Sequence, residues 1–212
     1  MRRFSFLVVS LISLLVPTLN AAPVEWTIAT GGNGHYYELV GNQLNYPNDV
    51  WSWQDAKVLA EARSYLGIQG HLATVTTATE NQFILDTFFV TQRWITWIGL
   101  TDSEDYGGTE SFNYGWPARQ TKGWVWVTGE PVEYTNWGPG GQPDNYSDDD
   151  FAGIGSQWND HTWWSDLQSG TAGHAQFLVE YDNTPAPEPS TLAMLGVGAI
   201  GLLAYGWRRR RG

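Results

Sequence analysis

The chain has 212 residues, 13 tryptophans, no cysteine and a formal charge of −11. That length admits one domain of ordinary size plus targeting segments, and it lets a core form without covalent staples. Absence of cysteine excludes a disulfide scaffold, thiolate zinc sites, iron–sulfur clusters and a cysteine nucleophile. The acidic balance argues against a nucleic-acid partner, which needs clustered Lys and Arg.

The N-terminus reads Met1-Arg2-Arg3, then an apolar stretch from Phe4 to Val16, then Asn20-Ala21-Ala22. A charged start, a short apolar core and small residues at a break predict a Sec-type signal peptide over residues 1–22. Cleavage is expected after Ala22, with Ala21 as the near alternative. The apolar run is short for a membrane anchor.

The body reads as one α+β domain over residues 23–184, rich in Gly, Pro and aromatic residues. His35 to Val40 suits a first strand. Trp51 to Leu66 has helical character, with Ser52 as cap, Gln54 and Asp55 in the first turn and Gly67 after the end. Val58, Leu59, Ala62 and Leu66 fall on one face at a 3.6-residue period, which predicts the buried side. Thr77 to Val90 suits a second helix opened by a capping box from Thr77 to Glu80, with Phe83, Ile84, Phe88 and Phe89 inward. Beyond residue 93, short strands are expected at Trp94–Leu100, Gly123–Thr128, Phe151–Gly155 and Gln176–Tyr181. The Gly129–Asp150 loop is too long to be an idle connection, and Trp137, Trp158, Trp163 and Trp164 around it argue for packing.

The C-terminus reads Pro-Ala-Pro-Glu-Pro at residues 185–189, then Ser190, then 17 uncharged residues from Thr191 to Trp207, then Arg208 to Arg211. The uncharged stretch is at the lower limit for spanning a bilayer, and the arginines would hold the tail in the cytoplasm. Pro187-Glu188-Pro189-Ser190-Thr191, the short Gly-containing span and the arginines together resemble the PEP-CTERM sorting signal. That resemblance implies a Gram-negative, exopolysaccharide-making source. It also implies handling by an exosortase, transient membrane anchoring through residues 185–212, and display or release at the cell surface.

The two ends carry six of the 11 basic residues, whereas all 22 acids lie between Glu25 and Glu188, so the mature body, near residues 23–189, has a charge of −17. Such a surface repels itself unless cations neutralise part of it, which makes a divalent metal worth seeking. Residues 141–150 read Gly-Gln-Pro-Asp-Asn-Tyr-Ser-Asp-Asp-Asp, and 158–160 read Trp-Asn-Asp. Amide oxygens from Gln142, Asn145 and Asn159 stand beside carboxylates of Asp144, Asp148, Asp149, Asp150 and Asp160. Calcium takes six to eight hard oxygens in tolerant geometry, so this mixture suits it better than magnesium or zinc. A cis bond before Pro143 would aim both neighbouring side chains at one ion. His35, His71, His161 and His174 show no metal-ligand spacing and read as structural or surface residues. No acid stands apart as a proton donor, so no catalytic residue is assigned and the chain is not read as an enzyme.

The body resembles a C-type lectin-like domain over residues 34–182. The resemblance rests on Trp53-Gln54-Asp55-Ala56, His71-Leu72-Ala73-Thr74-Val75, Glu80 with Phe83-Ile84, and Trp97-Ile98-Gly99-Leu100. Trp124-Val125-Trp126, Trp137, Pro143, Trp158-Asn159-Asp160 and Phe177-Leu178-Val179-Glu180 complete the order. It implies two helices with short antiparallel sheets, a long ligand-binding loop and sugar bound directly to Ca2+. The implied metal ligands are Gln142, Asp144, Asp149 (Asp150 if the register slips by one), Asn159 and Asp160. The Gln-Pro-Asp triplet implies a galactose-type preference, with Tyr146 placed to stack on the sugar; Gln142, Asp144, Asn159 and Asp160 would also meet its hydroxyls. The family's two disulfides are absent, and Ala60 opposite Val179 and Phe151 opposite Trp163 stand at the matching positions. The alternative is a protein-interaction or matrix-structural module in which calcium only braces the loop.

Overall fold

The computed structural model describes residues 22–41, 51–88, 95–155, 162–170 and 176–183. The signal segment, the sorting segment, Phe89, Trp94, Trp158, Asn159, Asp160, His161 and His174 lie outside them. Among the described residues, β1 is Val24–Glu25, β2 Tyr36–Val40, α1 Trp53–Glu61, β3 Ser64–Tyr65 and β4 Ile68–Leu72. Then come α2 Ala78–Phe88, β5 Thr96–Thr101, β6 Val125–Trp126, β7 Phe151–Ile154, β8 Trp164–Leu167 and β9 Gln176–Tyr181.

The strands run in the order β1-β2-β9-β5-β7-β8, with β4 also on β9, β3 on β4 and β6 on β5. Strand β9 is the hub. It pairs antiparallel with β2, from Tyr36↔Tyr181 to Val40↔Phe177, and with β4, from Gly70↔Tyr181 to Leu72↔Val179. Its pairing with β5 is parallel, Thr96↔Gln176 and Trp97↔Phe177, so the sheet is mixed where an antiparallel one was expected.

All six residues of β9 are buried, and side chains alternate across a strand. Phe177, Val179 and Tyr181 join Trp53, Ala56 and Ala60 of α1 in one apolar cluster. Leu178 joins Ile84 and Leu85 of α2 in the other. Each helix therefore packs through its own cluster, which is the two-layer arrangement an α+β chain uses to bury its sheet.

Helix α1 begins as its sequence predicts. Ser52 accepts from Asp55 N–H and Asp55 accepts from Ser52 N–H, a reciprocal capping box. Its end and its face differ from expectation. The helix stops at Glu61, and Ser64–Tyr65 turns back on Ile68 through Leu66 and Gly67, both at positive φ. Val58 is 64% exposed, Leu66 is 70% exposed, and Leu59 and Ala62 also face solvent; Trp53, Ala56 and Ala60 are buried instead. A Trp-Ala-Ala face packs because alanine allows the helix to lie close against β4 and β9. A larger apolar count on the other side does not outweigh that fit.

Thr77 Oγ1 accepts from Glu80 N–H at 3.1 Å at the start of α2, but the Glu80 carboxylate reaches past it to Thr76 N–H, at 2.8 Å. Of the four strands expected after residue 93, β6 and β7 are shorter, β5 is shifted to end at Thr101 and β9 matches in full; β1, β3, β4 and β8 were not expected as strands. Ala60 and Val179 are both buried in one cluster. Phe151 faces Leu167, not Trp163, because β7 and β8 pair from Phe151↔Leu167 to Ile154↔Trp164.

Candidate functional site

Tryptophans fasten the long loops to the core through their indole N–H groups, the polar handle of an otherwise apolar ring. Trp124 Nε1 donates to Arg119 O at 3.1 Å, and Trp137 Nε1 to Gln120 O at 2.7 Å. Trp164 Nε1 donates to Asn81 Oδ1 of α2 at 2.9 Å, and Trp137 bridges to Trp164 in the parallel sense. Arg119 stacks over Phe112 and Trp116 and donates to Gly141 O at 2.7 Å, which joins that aromatic turn to the loop at 142.

From Gln142 to Asp149 the loop folds on itself and on β8. The Gln142–Pro143 peptide is cis. Gln142 Nε2 donates to Asp144 Oδ2 at 3.0 Å, and Gln142 Oε1 accepts from Asp166 N–H at 3.0 Å. Asn145 N–H donates to Asp166 Oδ2 at 2.7 Å, and Asn145 Oδ1 accepts from Asp149 N–H at 2.8 Å. Tyr146 N–H donates to Asp144 Oδ1 at 3.1 Å. Asn145, Ser147 and Asp148 all take positive φ, which coils the segment tightly. Tyr146 is 78% exposed.

The structure thus brings Gln142, Asp144, Asn145 and Asp149 to Asp166 of β8. Asp166 is 3% exposed and its Oδ1 accepts no hydrogen bond within the protein. Burial, with Asp144 adding repulsion, raises its pKa to about 6. Burial, then Asp166, Asp144 and Asp150, raise Asp149 to about 7. These are carboxylates pressed together with too few donors to settle them. A second acid group adjoins: Glu110, Asp148 and Asp150 bring carboxylate oxygens within 4.8 Å of one another. Asp102, 2% exposed, has one oxygen on Ser111 N–H at 2.9 Å and the other unpartnered. Burial lifts Asp102 and Asp150 each to about 6, and Asp102 in turn raises Asp150.

Sequence reasoning missed Asp166 and Asp102. Trp164-Ser165-Asp166 carries a signal, because a Trp two residues before an acid puts both side chains on one face of a strand. The nearby Trp158-Asn159-Asp160 drew the reading instead. Asp102 directly follows β5 and could have been found as an acid at the end of a buried strand.

Likeness to solved structures decides the fold. CEL-I, a C-type lectin from Cucumaria echinata, superposes with a TM-score of 0.50 at 23% identity, covering 70% of this chain and 90% of that one. The EPNH mutant of CEL-I gives 0.52 at 22% identity, covering 76% and 97%. The chain has a C-type lectin-like fold. In sequence, this lectin-like chain is 33% identical to halomucin of Haloquadratum walsbyi over 170 residues, which is 78% of the chain but 2% of halomucin's length. It is 27% identical over 154 residues to the alpha-N-acetylgalactosamine-specific lectin of Patiria pectinifera, covering 71% of the chain and 77% of that lectin. Residues 185–211 match the PEP-CTERM protein-sorting motif, which assigns the lectin-like domain to export with a C-terminal anchor before processing. Among the described residues no helix is long and apolar enough to cross a membrane.

Proposed function

We propose that this chain is a surface-displayed or secreted lectin whose loop at 142–149 holds Ca2+ and binds a galactose-type sugar. The observation that carries the reading is the buried Asp166 carboxylate, with an unpartnered oxygen, set against the Gln142, Asp144 and Asp149 side chains. The donor set is all oxygen, mixed amide and carboxylate, and negative, which fits calcium and not a softer metal. Gln142, Asp144, Asp149 and Asp166 would hold the ion. Asn159 and Asp160, outside the described residues, remain proposed ligands from the sequence. Bound calcium would offer open coordination positions to two vicinal sugar hydroxyls. Gln142 and Asp144 side chains exchange hydrogen bonds with those hydroxyls, and the exposed Tyr146 ring beside Asp144 supplies an apolar face for the sugar. The Patiria relative is an alpha-N-acetylgalactosamine-specific lectin, which supports the galactose class.

The mature chain passed over galactose and mannose resins with calcium, then with EDTA, tests this. Retention on galactose that EDTA releases is the expected result. Retention indifferent to EDTA, or none on either resin, overturns it. Calcium stabilisation without any sugar effect supports the protein-interaction alternative instead.

A further inference from the structure

A second polar centre shares no residue with the loop site. His35 directly precedes β2, His71 lies in β4, Glu180 in β9 and Asp182 just after it. Sequence spacing hides this group, because 36 residues separate the histidines and 109 separate His71 from Glu180. The antiparallel pairings of β9 with β2 and β4 bring them together, with Tyr36 and Gly70 both opposite Tyr181.

Donor atoms of His35, Glu180 and Asp182 all lie within 4.8 Å of one another, and His71 adjoins them through Asp182. His35 Nδ1 is 2.7 Å from Glu180 Oε1 and 3.4 Å from Asp182 Oδ1, and His71 Nε2 is 3.0 Å from Asp182 Oδ1. A tetrahedral ion with bonds of about 2.1 Å separates its ligand atoms by about 3.4 Å, so His35, Glu180 and Asp182 are spaced to hold one, and His71 would complete the set by moving in beside Asp182. His71 Nδ1 lies 2.9 Å from the Leu72 carbonyl, which only accepts, so Nδ1 carries a hydrogen and Nε2 is the atom left to bind. A backbone carbonyl behind an imidazole is the arrangement that orients metal-ligating histidines. Behind Glu180, Thr74 N–H at 2.8 Å holds one carboxylate oxygen in place, and the Tyr37 hydroxyl, whose single proton also faces Glu80 at 2.5 Å, lies 3.0 Å from the other. His35, His71 and Asp182 each keep part of their side chain exposed, so an ion has a way in.

We propose that His35, His71, Glu180 and Asp182 form a binding site for a divalent metal of the Zn2+ class, clipping the first long strand, β4 and the last strand together. Two imidazoles with two carboxylates favour zinc over calcium or magnesium, which take oxygen. A divalent ion with two neutral imidazoles carries the charge of two imidazoliums, so the ion replaces two protons without altering the balance against the acids. In a chain without cysteine, such a clip ties remote segments as a covalent link otherwise would.

The test uses the full-length chain without a polyhistidine tag, stripped with chelator and titrated with ZnCl2 and with CaCl2 in a calorimeter. One Zn2+ per chain is expected, bound with release of protons and undisturbed by saturating Ca2+. His35→Gln and His71→Gln should each weaken it by about tenfold or more, whereas His161→Ala with His174→Ala leaves it unchanged. If His71→Gln fails to fold, the partly exposed His35→Gln decides alone. No Zn2+ binding, binding indifferent to both Gln variants, loss in the His161/His174 variant, or displacement by Ca2+ each overturns the proposal.

Discussion

Asp166 is the residue on which the calcium reading turns, because its two possible roles have opposite signatures. A buried carboxylate with one unpartnered oxygen destabilises the metal-free fold and strengthens a cation site. Asp166→Asn keeps an oxygen for Asn145 N–H and removes the charge. The expected outcome is calcium affinity lower by on the order of tenfold to a hundredfold, with thermal stability in EDTA equal to or above that of the parent. Calorimetry and thermal unfolding read the two quantities separately. A variant that melts lower in EDTA and binds calcium as before would make Asp166 a scaffold residue only. Tyr146→Ala separates a third function: it should abolish retention on galactose while leaving calcium affinity unchanged, since the ring is exposed and only the Tyr146 backbone N–H touches Asp144.

Strand β8 shows how much was legible and where legibility stopped. The proposed loop ligands Gln142, Asp144 and Asp149 could be read because amides and carboxylates crowd into ten residues. Asp166 could not, because its pairing depends on the register of β7 against β8, and a four-residue strand flanked by polar residues has no pattern long enough to announce itself. The same limit misplaced the face of α1. Periodicity finds stripes of large apolar residues, whereas the sheet selected the stripe whose alanines permit close approach. The capping box at Ser52 was read correctly because it is local, whereas Glu80 closes on Thr76 N–H and leaves only half of the box expected at Thr77. Trp164 holds β8 in place: its ring is buried, and its indole N–H satisfies Asn81 Oδ1 inside α2. Trp164→Phe should cost about 1–3 kcal/mol in denaturant unfolding, the penalty for a buried acceptor left unpaired, and should weaken calcium binding through Asp166 two residues on. A cost near zero would mean that water replaces the indole.

At the scale of the whole molecule, the charge of the body governs how the fold answers to pH, and the sign can be worked out. Asp149 is raised to about 7 and Asp102, Asp150 and Asp166 to about 6, in each case by burial first and by neighbouring acids after it. Unfolded, these carboxyls return to about 4. The folded state therefore binds more protons than the unfolded state between about pH 4 and 7, and stability falls as pH rises through that window. The metal-free chain should melt higher at pH 5 than at pH 8, unlike a protein whose acids are paired. Calcium competes with the same protons, so its affinity should climb over the same interval and offset that loss, leaving the melting temperature in calcium nearly level between pH 5 and pH 8 while the metal-free one falls. The two curves must therefore converge at the acidic end. Thermal unfolding at fixed ionic strength, with EDTA and with calcium, measures both. Parallel curves would mean that these acids are not the calcium ligands, and a metal-free curve rising with pH would mean that their mutual repulsion is relieved by contacts within the fold.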